Sequence, residues 1–218
     1  MESFDKSLKF LLGRAPADFI RFGFDDPSVR VLEPIATVLP ARGRDVDGAY
    51  VVALGGAADE VREEDKRVVH VELHRRHQAA EELAVDVAEA QIRLHRREKR
   101  LVVSHVWDLY GDAGAPVIET RTYAFGGDGS RCVYRRVNLR AMGSDELLTS
   151  APPSLWSLVA LTRDGAREAV VERARDAIDA RQGWTWGERA DHLAVLLFVA
   201  ESEGVPSKLM REYLRRSG

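Results

Sequence analysis

Apolar and polar residues alternate from Arg67 to His74 (RVVHVELH), so an extended chain there sends Val69, Val71 and Leu73 to one side and His70, Glu72 and His74 to the other. One side suits a core and the other carries ionisable groups. A second β-like run, Gly48 to Leu54 (GAYVVAL), lies upstream and is headed by Asp47; strand, loop and strand in that order predict an antiparallel hairpin. From Ala79 to Glu98 the period changes to that of a helix, with Leu83, Val87, Ala90 and Leu94 on one stripe and Ala84, Ala88 and Ile92 beside it. This helix leads into Leu101 to Trp107 (LVVSHVW), a short apolar strand. A helix between two strands is the crossover that makes them parallel.

The remaining pattern frames this centre. Phe4, Leu8, Leu11 and Leu12 at helical spacing predict a short amphipathic helix ending at Gly13, and a second is expected from Asp18 to Phe22. Val29 to Leu39 is rich in strand formers, but Pro34 excludes a regular central strand. Val117 to Phe125 and Arg131 to Leu139 flank GGDGS, a turn signal for a second hairpin. Beyond Ser144 only helices are expected: Ser144 to Leu148, Ser154 to Leu161, Ala166 to Arg181, Thr185 to Glu203 and Ser207 to Arg216, punctuated by Gly165, Gly183 and Gly204. The expectation is an α/β fold, with a mixed β-sheet flanked by helices over residues 1–142 and an α-helical C-terminal region over 143–218 packed on that core.

A chain of 218 residues can bury a sizeable core, and 45% hydrophobic content with a net charge of −3 excludes a highly charged disordered chain. The overall charge carries no basic signature, so any nucleic-acid surface must be local. Only five of the 32 basic residues are lysine; a bias toward arginine codons explains the skew as well as phosphate binding does. One cysteine, Cys132, allows no internal disulfide, which fits a reducing cytoplasm. No apolar run approaches the ~20 residues of a membrane span, and the N-terminus does not read as a secretory leader. A cytoplasmic protein without a membrane partner is expected.

The chemistry rests first on Asp47 and Glu72. Were their strands paired, the two carboxylates would converge at one end of the sheet and offer the hard oxygen ligands a divalent cation such as Mg2+ seeks. The competing reading is a pair of exposed strand-face acids. The acids in GGAADEVREEDK lack a metal-loop spacing and read as a solvated hairpin loop. His70 and His74 stand about 13 Å apart on a strand, too far to share one ion without a bend. His70 reads instead as a packed or hydrogen-bonded neighbour of the site. The four tryptophans, Trp107, Trp156, Trp184 and Trp186, read as core or interface anchors.

Taken together, VLEPIATVLPARGRDVDGAYVV, VVHVELH, EAQIRLHRREKR leading into LVVSHVW, ELLTSAPPSLWSLVAL and ERADHLAVLLFVA resemble, in that order, the recombination-promoting nuclease and transposase-like family of the PD-(D/E)XK superfamily. The resemblance spans nearly the whole chain. It implies a metal-dependent DNA endonuclease, with Asp47 and Glu72 as metal ligands for Mg2+ (or Mn2+) and the Leu73 carbonyl as a further ligand. His74 stands where the superfamily has Lys and this family usually Gln; it would orient or deprotonate water, or ligate metal. Asp5 matches an acidic position on the first helix and is a second-shell candidate, with a solvent-facing acid as the alternative; His70 is a second such candidate. Asp86 departs from the family, which tends to have Arg there. DNA is the implied partner, and Arg75 and Arg76, with Arg96 and Arg97 of the cluster Arg93 to Arg100, are the candidates for its backbone. A homodimer would suit double-strand cutting. The rival reading is a nuclease-like fold without catalysis that serves as a DNA-binding or protein-interaction module.

Overall fold

The computed structural model describes residues 2–37, 46–54, 61–74, 79–125 and 130–205, with the backbone alone for 2–5 and 130. Six strands form one mixed sheet: β1 (Arg30–Pro34), β2 (Gly48–Ala53), β3 (Lys66–His74), β4 (Val102–Asp108), β5 (Ile118–Phe125) and β6 (Ser130–Val137), in the spatial order β1-β2-β3-β4-β6-β5. The β2–β3 hairpin is antiparallel, β3–β4 and β4–β6 are parallel, and β5–β6 is antiparallel. Both expected hairpins and the parallel crossover are present. Pro34 ends β1 at the sheet edge, after an irregularity in register between Val31 and Glu33, where a missing donor breaks no central ladder.

The crossover helix α3 (Ala80–Glu98) lies diagonally over one face. Its first half packs Leu83, Ala84 and Val87 on Val106, Cys132 and Tyr134, and its second half packs Ala90 and Leu94 on Val46, Ala49 and Val68. Each fully buried Leu or Val contributes about 1.5–3 kcal/mol, so this stripe fixes the helix. The diagonal has a consequence for the sheet. Along β3 the helix packs on Val68 near the start of the strand, and Glu72 and His74 lie at its other end.

The opposite face carries Trp107 and His105, both fully buried. Trp107 packs against Phe19 and Phe22, and Phe24 meets the His105 ring edge-on at 4.5 Å. These aromatics lie on α2 (Pro16–Phe24), which is longer at both ends than its sequence pattern predicted. Gly23 is required there, because a Cβ at that position would sit 2.4 Å from the His105 ring.

The chain divides into two compact units, and the division differs from the expected one. The sheet unit is Phe19–Gly111 with Pro116–Asn138; the helical unit takes the described residues up to Asp18, Asp112–Ala115, and those from Leu139 on. The boundary therefore falls at 138/139 rather than 142/143. Helix α1 (Glu2–Arg14) belongs with the C-terminal helices because it packs on α6 (Trp186–Ser202). Helices α4 (Ser144–Ser150) and α5 (Glu168–Asp179) also match expectation, but Pro153–Leu161 is a 3-10 helix. A capping box at Thr185 and Glu188 starts α6. The helix expected at Ser207 to Arg216 lies outside the described residues.

Candidate metal centre

The hairpin register brings the two acids together. Gly48 pairs with Val71, so Asp47, one residue earlier, comes opposite Glu72. Asp47 is also tied to the same segment directly: its Oδ2 accepts the Leu73 N–H at 2.7 Å. Carboxylate and peptide are 26 positions apart in the chain. Glu72 keeps 37% of its side chain exposed, and its Oε2 lies 3.4 Å from His70 Nε2. His70 itself is 1% exposed, with Nδ1 3.0 Å from Ser104 Oγ. It is thus a buried, hydrogen-bonded neighbour, as its pattern suggested.

Beside this pair lies a group that the strand pattern did not single out. His74 Nδ1 is 3.8 Å from Asp108 Oδ1, within reach of an ion pair but too long for a hydrogen bond, and neither ring nitrogen makes a hydrogen bond among the described residues. Asp108 Oδ2 receives Arg136 through Nη2 at 2.6 Å and Nε at 2.9 Å, and Arg136 Nη1 reaches Glu119 at 3.0 Å. Burial disfavours the Asp108 carboxylate, but His74 and the two-pronged Arg136 outweigh it and hold the group at about 2. Burial also works against the Arg136 charge, and the two carboxylates more than compensate, raising its pKa above the usual value. The apolar pattern predicts β4 only as far as Trp107, whereas the strand runs to Asp108. Continuing the alternation Ser104, Val106, Asp108 by one step would have found the acid, because a parallel β3 and β4 end on the same side.

Asp47, Glu72, His74, Asp108, Arg136 and Glu119 therefore share one end of the sheet. They lie at the C-terminal ends of β3, β4 and β6 and the starts of β2 and β5. Ligands of open α/β sheets bind beyond the carboxyl ends of parallel strands.

The basic cluster is elsewhere. Helix α3 runs back along the sheet for about 28 Å, so Arg96 and Arg97 arrive at the start of β4 rather than beside Glu72. Arg100 binds Glu63 at 3.1 Å and Leu101 O accepts the Val68 N–H, which anchors the cluster at the opposite end of β3. Arg97 reaches Glu98 at 2.7 Å and the Ala36 carbonyl at 2.8 Å. The expectation that Arg96 and Arg97 line the approach to the carboxylates is therefore corrected: the antiparallel return of the helix carries them away. Arg75 and Arg76 lie outside the described residues, as does the side chain of Asp5, whose backbone is in α1. Trp107 is a core anchor and Trp184 stacks on His192 at 4.2 Å, whereas Trp186 is 72% exposed and anchors no core.

A divalent metal is implied by the resemblance, and the donor set fits one of hard character. Mg2+ is commonly held by one or two carboxylates plus waters. Asp47 and Glu72 supply two such groups at a partly exposed strand end. Among the described residues no group of three or more His, Cys, Asp or Glu side chains is arranged to hold a metal. Comparison of the chain with family models, curated proteins and solved structures gives no match.

Proposed function

We propose that this chain is a metal-dependent DNA endonuclease built on the PD-(D/E)XK plan. The observation that carries the reading is the 2.7 Å bond from the Leu73 N–H to Asp47, which brings a distant carboxylate onto the Glu72-Leu73-His74 segment. The sheet order supports it: an antiparallel β1-β2-β3, a crossover helix and a parallel β4.

In this reading Asp47 and Glu72 hold Mg2+ or Mn2+, with the Leu73 carbonyl as a further ligand. An ion held there would supply Lewis-acid polarisation of a phosphoryl oxygen and a lowered pKa for a bound water. His74 occupies the third position of the motif and orients or deprotonates that water. Asp108, 3.8 Å from His74 Nδ1, stabilises the positive charge that the imidazole gains on taking a proton. Arg136 is not available to DNA while Asp108 and Glu119 share it; the candidates for phosphate contact remain Arg75 and Arg76, which follow β3 in the sequence. A dimer would bring one such centre to each strand of a duplex.

The test is plasmid cleavage with Mg2+ or Mn2+ by the parent, Asp47→Asn and Glu72→Gln. Nicking or cutting by the parent alone supports the reading; equal cleavage by all three overturns it. A second reading, a DNA-binding or protein-interaction module without catalysis, draws on His74 standing in the place of the usual Lys or Gln. It expects no carboxylate-dependent Mn2+ binding, and a DNA-binding module would keep salt-sensitive DNA affinity.

A further inference from the structure

A hydrogen-bonded chain begins on α3 at Gln91 and ends at His70, whose Nε2 lies 3.4 Å from Glu72 Oε2, and its direction follows from its first link. The Gln91 amide lies against the Val133 carbonyl, with Nε2 to O at 2.8 Å. A carbonyl only accepts, so this contact assigns the NH2 side of the amide. The same nitrogen is 3.1 Å from Ser104 Oγ, and the Cys132 thiol faces Oε1 at 3.8 Å, as the assignment requires. Gln91 therefore donates into Ser104.

Ser104 Oγ already accepts one hydrogen and has one to give. Its other neighbour is His70 Nδ1 at 3.0 Å. If Nδ1 carried the proton, Ser104 would accept twice and its own hydrogen would go unused there. His70 Nε2 would then turn a bare lone pair toward the Glu72 carboxylate at 3.4 Å. Both consequences are unfavourable in a site where Ser104 is fully buried and His70 is 1% exposed. The alternative uses the Ser104 hydrogen and turns an N–H rather than a lone pair toward the carboxylate. Ser104 donates to Nδ1, the proton sits on Nε2, and Nε2–H faces Glu72.

We propose that His70 is a positioning residue for Glu72, held in its Nε2–H form by a donor chain from Gln91 through Ser104. The Nε2–H faces one carboxylate oxygen and attracts it, which leaves the other for a ligand. At 3.4 Å the contact is not a formed hydrogen bond, because Nε2 has no partner of good geometry among the described residues. The chain links His70, which faces the carboxylate, to α3.

The proposal rests on the reading of Glu72 as a metal ligand, and two measurements separate the two ideas. The first is the His70 tautomer, read in the unmodified protein by long-range 1H–15N correlation NMR. The Nε2–H form is expected, and the Nδ1–H form overturns the proposal outright. The second is Mn2+ affinity of the parent, Ser104→Ala, Gln91→Met and Glu72→Gln. Groups that orient a metal ligand typically contribute roughly 10- to 100-fold to affinity. Ser104→Ala is expected to weaken Mn2+ binding by about that much, Gln91→Met less, and Glu72→Gln most. Ser104→Ala and Gln91→Met binding as the parent does, while Glu72→Gln fails, overturns the positioning role and leaves the metal centre standing. If Glu72→Gln binds Mn2+ like the parent, the metal-centre reading fails instead, and the His70 tautomer alone decides the proposal.

Discussion

The two ends of the β3–β4 pair are both rich in charge, yet they are built on different terms. At the start of the strands Glu63, 71% exposed, meets Lys66 and Arg100, and its carboxyl is lowered by their hydrogen bonds without any help from burial. At the far end Asp108, Arg136 and Glu119 keep only 15–20% of their side chains exposed, and Asp47 and Glu72 lie next to them on the strands. Solvated ion pairs form and break at little cost and contribute little to stability. Half-buried charges lose hydration, and each must find a partner or a use. The second end is where the proposed chemistry lies, although among the described residues the first has more basic side chains.

The largest effect expected from this contrast is on activity. Asp47→Asn and Glu72→Gln should each take cleavage below detection while leaving the thermal midpoint within a few degrees, because each amide keeps the shape of the acid and one acceptor oxygen. A loss of both activity and fold would instead place these acids among the structural charges.

Next in size is a change in stability. Arg136→Met would strand two partly buried carboxylates and should cost about 3–5 kcal/mol in urea unfolding. A cost no larger than that of Arg100→Ala would erase the distinction between the two ends.

Acid should reveal the same contrast through protons. Asp108 is lowered from 3.8 to about 2, so the stability it contributes is present above pH 3.8 and is lost as pH falls toward 2, about 2 kcal/mol in all. His105 acts earlier and by the opposite kind of group. Burial, aided by Arg135 and His70, lowers it from 6.5 to about 3. Between those values the unfolded chain takes up a proton that the folded chain refuses, so stability declines as pH falls from 6.5 toward 3. His105→Leu should flatten that part of a pH-stability profile, and an unchanged slope would assign the acid sensitivity elsewhere. The smallest effect is expected at the first end: Arg96→Ala with Arg97→Ala should leave cleavage and DNA affinity nearly unchanged. A marked loss would return the helix C-terminus to the DNA path.

Much of the architecture was legible because periodicity reports which side of an element is apolar. The alternation in RVVHVELH and the stripe Leu83, Val87, Ala90 and Leu94 specified a strand, a helix and the faces they bury. Asp108 lies one step past the last apolar residue of LVVSHVW, so the apolar pattern does not mark it. Arg96 and Arg97 are near the candidate strand in sequence but not in space, because the helix between them runs back along the sheet. Helix α1 precedes the sheet in the chain, though its partner is α6.

By itself the sequence determined the elements, their faces and the candidacy of Asp47, Glu72 and His74, because side-chain period depends only on local backbone geometry. Tertiary structure alone decided which charges meet. The hairpin register sets Asp47 against Leu73, the parallel crossover adds Asp108 beside His74, and the 28 Å return of α3 takes its arginines to the other end of the sheet. Those pairings join residues from 26 to 34 positions apart, and chain-distant contacts depend on register and packing rather than on any pattern a single segment carries.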